Sequence, residues 1–248
     1  MSIKNGDFIL LNYTCKVKES GEVVETTIES VAKQAGIHHE HEKGEHVYEP
    51  MFLIPGEGWV PKGLDESLVG LESEKTLTLE VPPDKGYGAR DPSKIKLLPL
   101  RRFKKEGFDP VPGMQVEIDR KPATIRSVGA GRVQVDFNNP LAGKTLVYDL
   151  KIEKVLETRE DRIRAIIHRW IPGVAADKFV LTLTEQATIE MPEEAYFLEG
   201  IQFAKRSVAQ DIQKFMPKFE KISYLETFKK PQVPSEPKPQ PTVAQEGK

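Results

Sequence analysis

The run from Val133 to Ile152, VQVDFNNPLAGKTLVYDLKI, alternates apolar and polar residues on both sides of an Asn-Asn-Pro-Leu-Ala-Gly break. Alternation at period two puts successive side chains on opposite faces of a strand. The proline and glycine in the break prevent one continuous strand. The run therefore reads as two strands joined by a loop, the second with Leu146, Tyr148, Leu150 and Ile152 on one face. Upstream, Leu79–Gly88, LEVPPDKGYG, reads as a strand stopped by a proline pair and followed by a Tyr-Gly turn.

The rest of the first 156 residues fits the same β-rich pattern. Phe8 to Val17 alternates, with Ile9, Leu11, Tyr13, Cys15 and Val17 on the apolar side. Val23 to Thr26 is extended, Ile28 to Ala35 reads as a short helix ended by Gly36, and Val47 to Ile54 as a strand. Gly63 to Gly70 fits a short glycine-ended helix, and Thr76 to Val81 alternates again. Between 91 and 143 the pattern changes. A basic stretch, Lys94 to Lys105, precedes three short strands at Met114–Ile118, Ala123–Val128 and Val133–Phe137, separated by Gly and Pro turns.

After Glu157 the period becomes helical. Ile163, Ile166, Ile167, Trp170 and Ile171 make one apolar stripe. Strands are expected at Phe179–Leu183 and Ala187–Met191. A helix is expected to start at Pro192 and to carry Phe197, Ile201, Ala204, Val208, Ile212 and Phe215, and a last strand at Ile222–Phe228. The tail 231–248 is rich in Pro, Gln, Glu and Lys, a composition that buries little and reads as disordered.

The 248 residues carry a net charge of -2. That balance weighs against bulk nucleic-acid binding. The single cysteine, Cys15, excludes an internal disulfide and fits a reducing compartment. No apolar run is long enough for a membrane span, and the start does not read as a signal peptide. The expected location is cytoplasmic, with no membrane partner.

The phrases LNYTC, GEGWVPKGLDES, VPPDKGYG and LVYDL, in that order, resemble the FKBP-type peptidyl-prolyl isomerases, and VDFNNPLAG resembles the SlyD-like kind, in which a small chaperone domain is inserted beside the active site. The resemblance implies an α+β fold: an FKBP-like antiparallel half-barrel wrapped on a short helix, an inserted small β module, and a C-terminal α+β domain. The domains are expected at 1–90 plus 144–156, at 91–143 and at 157–230. It implies rotation of X-Pro bonds in unfolded or nascent polypeptides, a reaction that needs no nucleophile, acid or metal, so no cofactor is expected. It assigns Tyr13, Glu25, Tyr87 and Tyr148 to the catalytic pocket and Val24, Leu53, Val60, Pro61 and Leu64 to substrate binding. Read from strand position alone, Tyr13, Val60 and Tyr148 are equally well core residues.

Several positions depart from the family pattern, among them Tyr148, where the family more often has Phe. Leu64 replaces an aromatic floor, Glu25 an Asp and Val24 an aromatic residue, while Pro61 lacks the backbone N–H that the family uses to hold a substrate carbonyl. These departures weigh against efficient catalysis and against tight macrolide binding. They keep open a second reading, a polypeptide-binding holdase with little isomerase activity.

In the insert, Leu97, Leu98, Leu100, Phe103, Phe108 and Met114 either form a small core or stay exposed as an adaptable client surface. Arg101, Arg102, Lys104 and Lys105 read as a solvated face. The phrase IEMPEEA resembles part of trigger factor and the extra C-terminal domain of long archaeal FKBPs. That implies a client-binding or dimer-forming element, with a simple stabilising appendage as the alternative. His38, His39, His41 and His46, interspersed with glutamates, read as a polar loop rather than a metal site.

Overall fold

The alternation that begins at Ile9 produces strand β1 (Ile9–Val17), whose Ile9, Leu11, Tyr13, Cys15 and Val17 are all buried. The computed structural model describes residues 2–37, 48–73 and 75–230, so the histidine-rich loop and the 231–248 tail lie outside the described residues. The fold is mixed α+β, built on mainly antiparallel sheets. The chain divides between Arg162 and Ile163 into two compact units.

In the first unit β1 is followed by β2 (Val23–Thr26), helix α1 (Glu29–Ala35), β3 (Met51–Leu53), α2 (Lys62–Leu68) and β4 (Thr76–Val81). Next come β5 (Ile95–Pro99), α3 (Leu100–Lys105), β6 (Gln115–Ile118), β7 (Lys121–Gly129), β8 (Arg132–Asp136) and β9 (Leu146–Val155). β1 is central to a five-stranded sheet ordered β2-β1-β9-β4, with β3 also on β1. The β1–β9 register pairs Leu11 with Ile152, Tyr13 with Leu150, Cys15 with Tyr148 and Val17 with Leu146. Like therefore meets like on one face, and that face packs against Leu64 and Leu68 of α2. Each such buried aliphatic side chain contributes about 1.5–3 kcal/mol.

Gly63 allows this packing. A Cβ there would lie 2.8 Å from Val81 Cγ1, too close for α2 to keep its seat on β4. The remaining four strands form a separate sheet, ordered β5-β8-β7-β6, with its own core of Phe103, Ile118, Ala123, Ile125, Val133 and Val135.

The second unit contains most of α4 (Arg159–Trp170), then β10 (Val180–Leu183), β11 (Ala187–Glu190), α5 (Ile201–Phe215) and β12 (Ile222–Leu225). β11 is the middle strand, antiparallel to β10 and parallel to β12.

Several sequence expectations need correction. β3 covers three residues rather than Val47–Ile54. The basic stretch contains a strand, β5, and a helix, α3, that its pattern did not announce. Pro192 starts only a 3-10 turn, Glu193–Ala195. α5 begins after Gly200, which adopts φ 75° as its N-cap. That left-handed residue breaks the expected single helix and leaves Phe197 outside it, 86% exposed. Trp170 ends the α4 stripe exposed and donates to Asp211 at 2.7 Å instead of entering the core. β12 stops at Leu225, and Phe228 is exposed.

Candidate active site

The candidate site, called the cleft, is built on the apolar face of β1 and β9, where Tyr13 and Tyr148 are buried. Tyr13 and Tyr148 lie with ring centroids 6.1 Å apart and tilted by 48°. The Tyr13 hydroxyl donates to Glu25 Oε1 at 2.6 Å, so the polar end of a buried ring is satisfied at the rim. Glu25 is exposed, and β2 holds it opposite Cys15 in the sheet register. Burial raises the Tyr13 phenol above its ordinary value, and the Glu25 carboxylate adds to the effect. Burial likewise raises Tyr148, which β9 places opposite Cys15 in the sheet register, and pushes Cys15 itself up to about 11. All three groups are therefore neutral at pH 7.

Tyr87 follows a 3-10 turn, Pro83–Lys85, and remains 38% exposed. Its phenol is raised by burial and then by the field of Glu25. It also contributes to the shifts of Tyr13 and Tyr148, so all three phenols share one electrostatic neighbourhood. The ring is thus partly open to solvent beside the Tyr13–Tyr148 face.

The segment 54–61 carries the other wall. Val60, Trp59 and Val24 are partly buried against the same cluster, and Leu53 and Leu64 are fully buried beneath it. Trp59 also meets Phe52 edge-on, at a centroid distance of 5.7 Å. Asp65 anchors this segment from α2, accepting the backbone N–H of Gly56 at 2.9 Å and of Gly58 at 3.2 Å. Pro61 is the N-cap of α2; its carbonyl accepts from Leu64 and Asp65, and its nitrogen has nothing to donate.

The structure thus gathers Tyr13, Glu25, Tyr148, Tyr87, Val24 and Val60 at one site, with Leu53 and Leu64 as its base. The insert residues sit elsewhere. Phe103 is buried in the core of the small sheet, edge-on to Phe108 at 5.5 Å. Leu98, Leu100 and Phe108 are half-buried against it, while Leu97 (59% exposed) and Met114 are open to solvent. A cavity of about 280 Å³ lies on this sheet, not at the cleft, between Gln115, Pro122 and Thr124 and the loop Phe137–Pro140.

Sequence reasoning missed Asp65 and the cross-strand pairing of Cys15 with Tyr148. Asp65 stands where an exposed first-turn carboxylate is ordinary, and only the fold brings the glycine N–H groups to it. No metal-binding cluster occurs among the described residues.

Comparison with known proteins bears on what this cleft is. Residues 96–141 match the model described as FKBP26, IF domain, and residues 159–229 the one described as FKBP26_C-terminal. The chain is 37% identical over 153 residues to a short-type peptidyl-prolyl cis-trans isomerase of Methanocaldococcus jannaschii, covering 94% of that protein and 62% of this one. The chain belongs to the FKBP-type peptidyl-prolyl cis-trans isomerase family. It is also 23% identical over 158 residues to the FKBP-type 16 kDa isomerase of Escherichia coli K12, covering 94% of it and 62% of this chain. To the isomerase SlyD of Helicobacter pylori it is 29% identical over 125 residues, 66% of that protein and 48% of this chain. No helix among the described residues of this FKBP-type chain is long and apolar enough to cross a membrane.

Proposed function

We propose that the Tyr13–Tyr148–Tyr87 cleft turns the bond before proline in unfolded polypeptides. The pairing of an aromatic apolar base with one half-exposed phenol at its mouth carries this reading. Rotation must break amide resonance, a barrier of about 18–20 kcal/mol. No nucleophile or proton transfer is required. The site must hold the twisted amide more tightly than either planar form. Apolar walls at Tyr148, Val60 and Val24 strip water from the amide and favour the less polar twisted state. The Tyr87 hydroxyl donates to a substrate carbonyl, and the Glu25-anchored Tyr13 keeps its ring at the cleft wall.

In this reading residues 1–90 and 144–156 are the isomerase domain, a half-barrel around α2, and 91–143 is an inserted client-binding module. Leu97 and Met114, with Val111, supply the exposed apolar surface there. Residues 157–230 bind clients or a second copy of the chain. The exposed Phe197 and Phe228 gather about Tyr196, at 6.4 and 5.1 Å, and favour association. Binding at a second site raises the local concentration of chain near the cleft.

One observation favours the holdase alternative: Pro61 offers no N–H where a carbonyl would be held. A proline-peptide isomerisation assay separates the two. A catalysed rate supports the isomerase, and a rate equal to buffer leaves the holdase.

A further inference from the structure

The two chain segments that connect the small sheet to the cleft-bearing sheet are stitched together by buried polar groups. The Asn138 amide grips the backbone of Asp91 at both ends, accepting its N–H at 3.0 Å and donating to its carbonyl at 2.9 Å. The Asp136 carboxylate, on a residue 3% exposed, accepts from Asn138 N at 3.0 Å and Asn138 Nδ2 at 2.8 Å. It also pairs with Arg90 and lies 3.6 Å from Arg126 Nε. Burying a carboxylate is costly unless it is paired and hydrogen-bonded, and a surface linker needs no such arrangement.

The loop that follows has one apolar residue in each core. Phe137 packs against the core of the small sheet, and Leu141 packs against the cluster that contains Tyr13 and Tyr148. Gly143 N donates to Gly88 O at 2.8 Å, one residue from Tyr87, and a Cβ at Gly143 would crowd Arg90 Cβ at 3.3 Å. One short segment therefore touches the small sheet, the cleft core and the turn that carries Tyr87.

We propose that Asp136 and Asn138, with Arg90, are positioning residues for isomerisation of polypeptides: they fix the small sheet to the cleft-bearing sheet so that a client held by one presents its proline to the other. This rests on the isomerase reading given above. The device acts on long substrates. A short peptide that reaches only the cleft does not need it, whereas a client gripped at two sites loses its gain in local concentration when their geometry loosens.

The test uses the full chain and its Asn138→Ala, Asp136→Asn, Arg90→Gln and Arg90→Lys variants. Isomerisation is measured on a short Xaa-Pro peptide and on an unfolded protein whose refolding waits on one prolyl bond. The expected result for the first three variants is a rise in KM of roughly tenfold or more for the protein substrate, with the short-peptide rate at the wild-type value. Arg90→Lys should retain most of the wild-type behaviour. NMR relaxation should show residues 95–136 tumbling more independently in Asn138→Ala, a readout available even if Asp136→Asn fails to fold. Parallel losses on both substrates, or no loss on either, would overturn the proposal. A wild-type chain inactive on the short peptide would instead sink the isomerase reading itself.

Discussion

The Tyr13 hydroxyl donates a 2.6 Å hydrogen bond to the carboxylate of Glu25. The ring is buried and the acid exposed, so one bond ties the wall of the cleft to its rim. Tyr13→Phe removes only the donor. It should lower stability by about 1 kcal/mol and reduce kcat on a proline peptide several-fold. Urea unfolding and the peptide assay check both, and an unchanged rate would show that the tie has no part in turnover.

Pro61 precedes α2 with its carbonyl already engaged by Leu64 and Asp65. Pro61→Ile keeps that carbonyl and adds the backbone N–H that proline lacks. The variant should isomerise a proline peptide faster than wild type. It should lose about 0.4–1 kcal/mol of stability as the unfolded chain gains freedom. A rate at or below wild type would mean the missing donor does not limit the reaction.

Asp65 holds Gly56 and Gly58 through two backbone N–H groups. Asp65→Ala leaves both donors to water, since both glycines are exposed, at a net cost of about 0.5–1.5 kcal/mol per hydrogen bond. Because the same segment carries Trp59 and Val60, KM for a proline peptide should rise along with the loss in melting temperature. Loss of stability with KM unchanged would restrict Asp65 to folding.

High pH tests the neutral state of the cleft. Burial raises the Cys15 thiol from 9.0 to about 11, and the Tyr13 and Tyr148 phenols rise as well. The unfolded chain therefore releases these protons first, and stability falls as pH rises. The Cys15 contribution is complete below about pH 8.5 and disappears between 9 and 11, with a slope of about 1.4 kcal/mol per pH unit for each group in its window. Urea titrations at pH 7, 9 and 10.5 measure the slope. Cys15→Ala should make it shallower, and an unchanged slope would exclude the thiol.

The parts of this protein legible in the sequence are those with a regular period. β1, β4 and β9 alternate over six residues or more, and their buried faces match the alternation. β5 and α3 were not legible because each is five or six residues long and Leu97, on β5, points its apolar side chain into solvent. The α5 start was obscured by Pro192, Glu193 and Glu194, which carry the residue types of a helix N-terminus but make only a single turn before Gly200. In the cleft, Tyr13 and Tyr148 followed from strand pattern and family resemblance together. Asp65, Asn138 and Asp136 were silent because their partners at Gly56, Asp91 and Arg90 are fixed by tertiary packing, which has no local pattern.

The most direct measurement is the cis–trans exchange rate of a short Xaa-Pro peptide, followed with increasing amounts of the full chain and of its Tyr148→Ala variant. The account predicts a rate that climbs in proportion to wild-type protein and climbs much less with the variant. A rate equal to buffer at every wild-type concentration, or equal slopes for the two proteins, would contradict it.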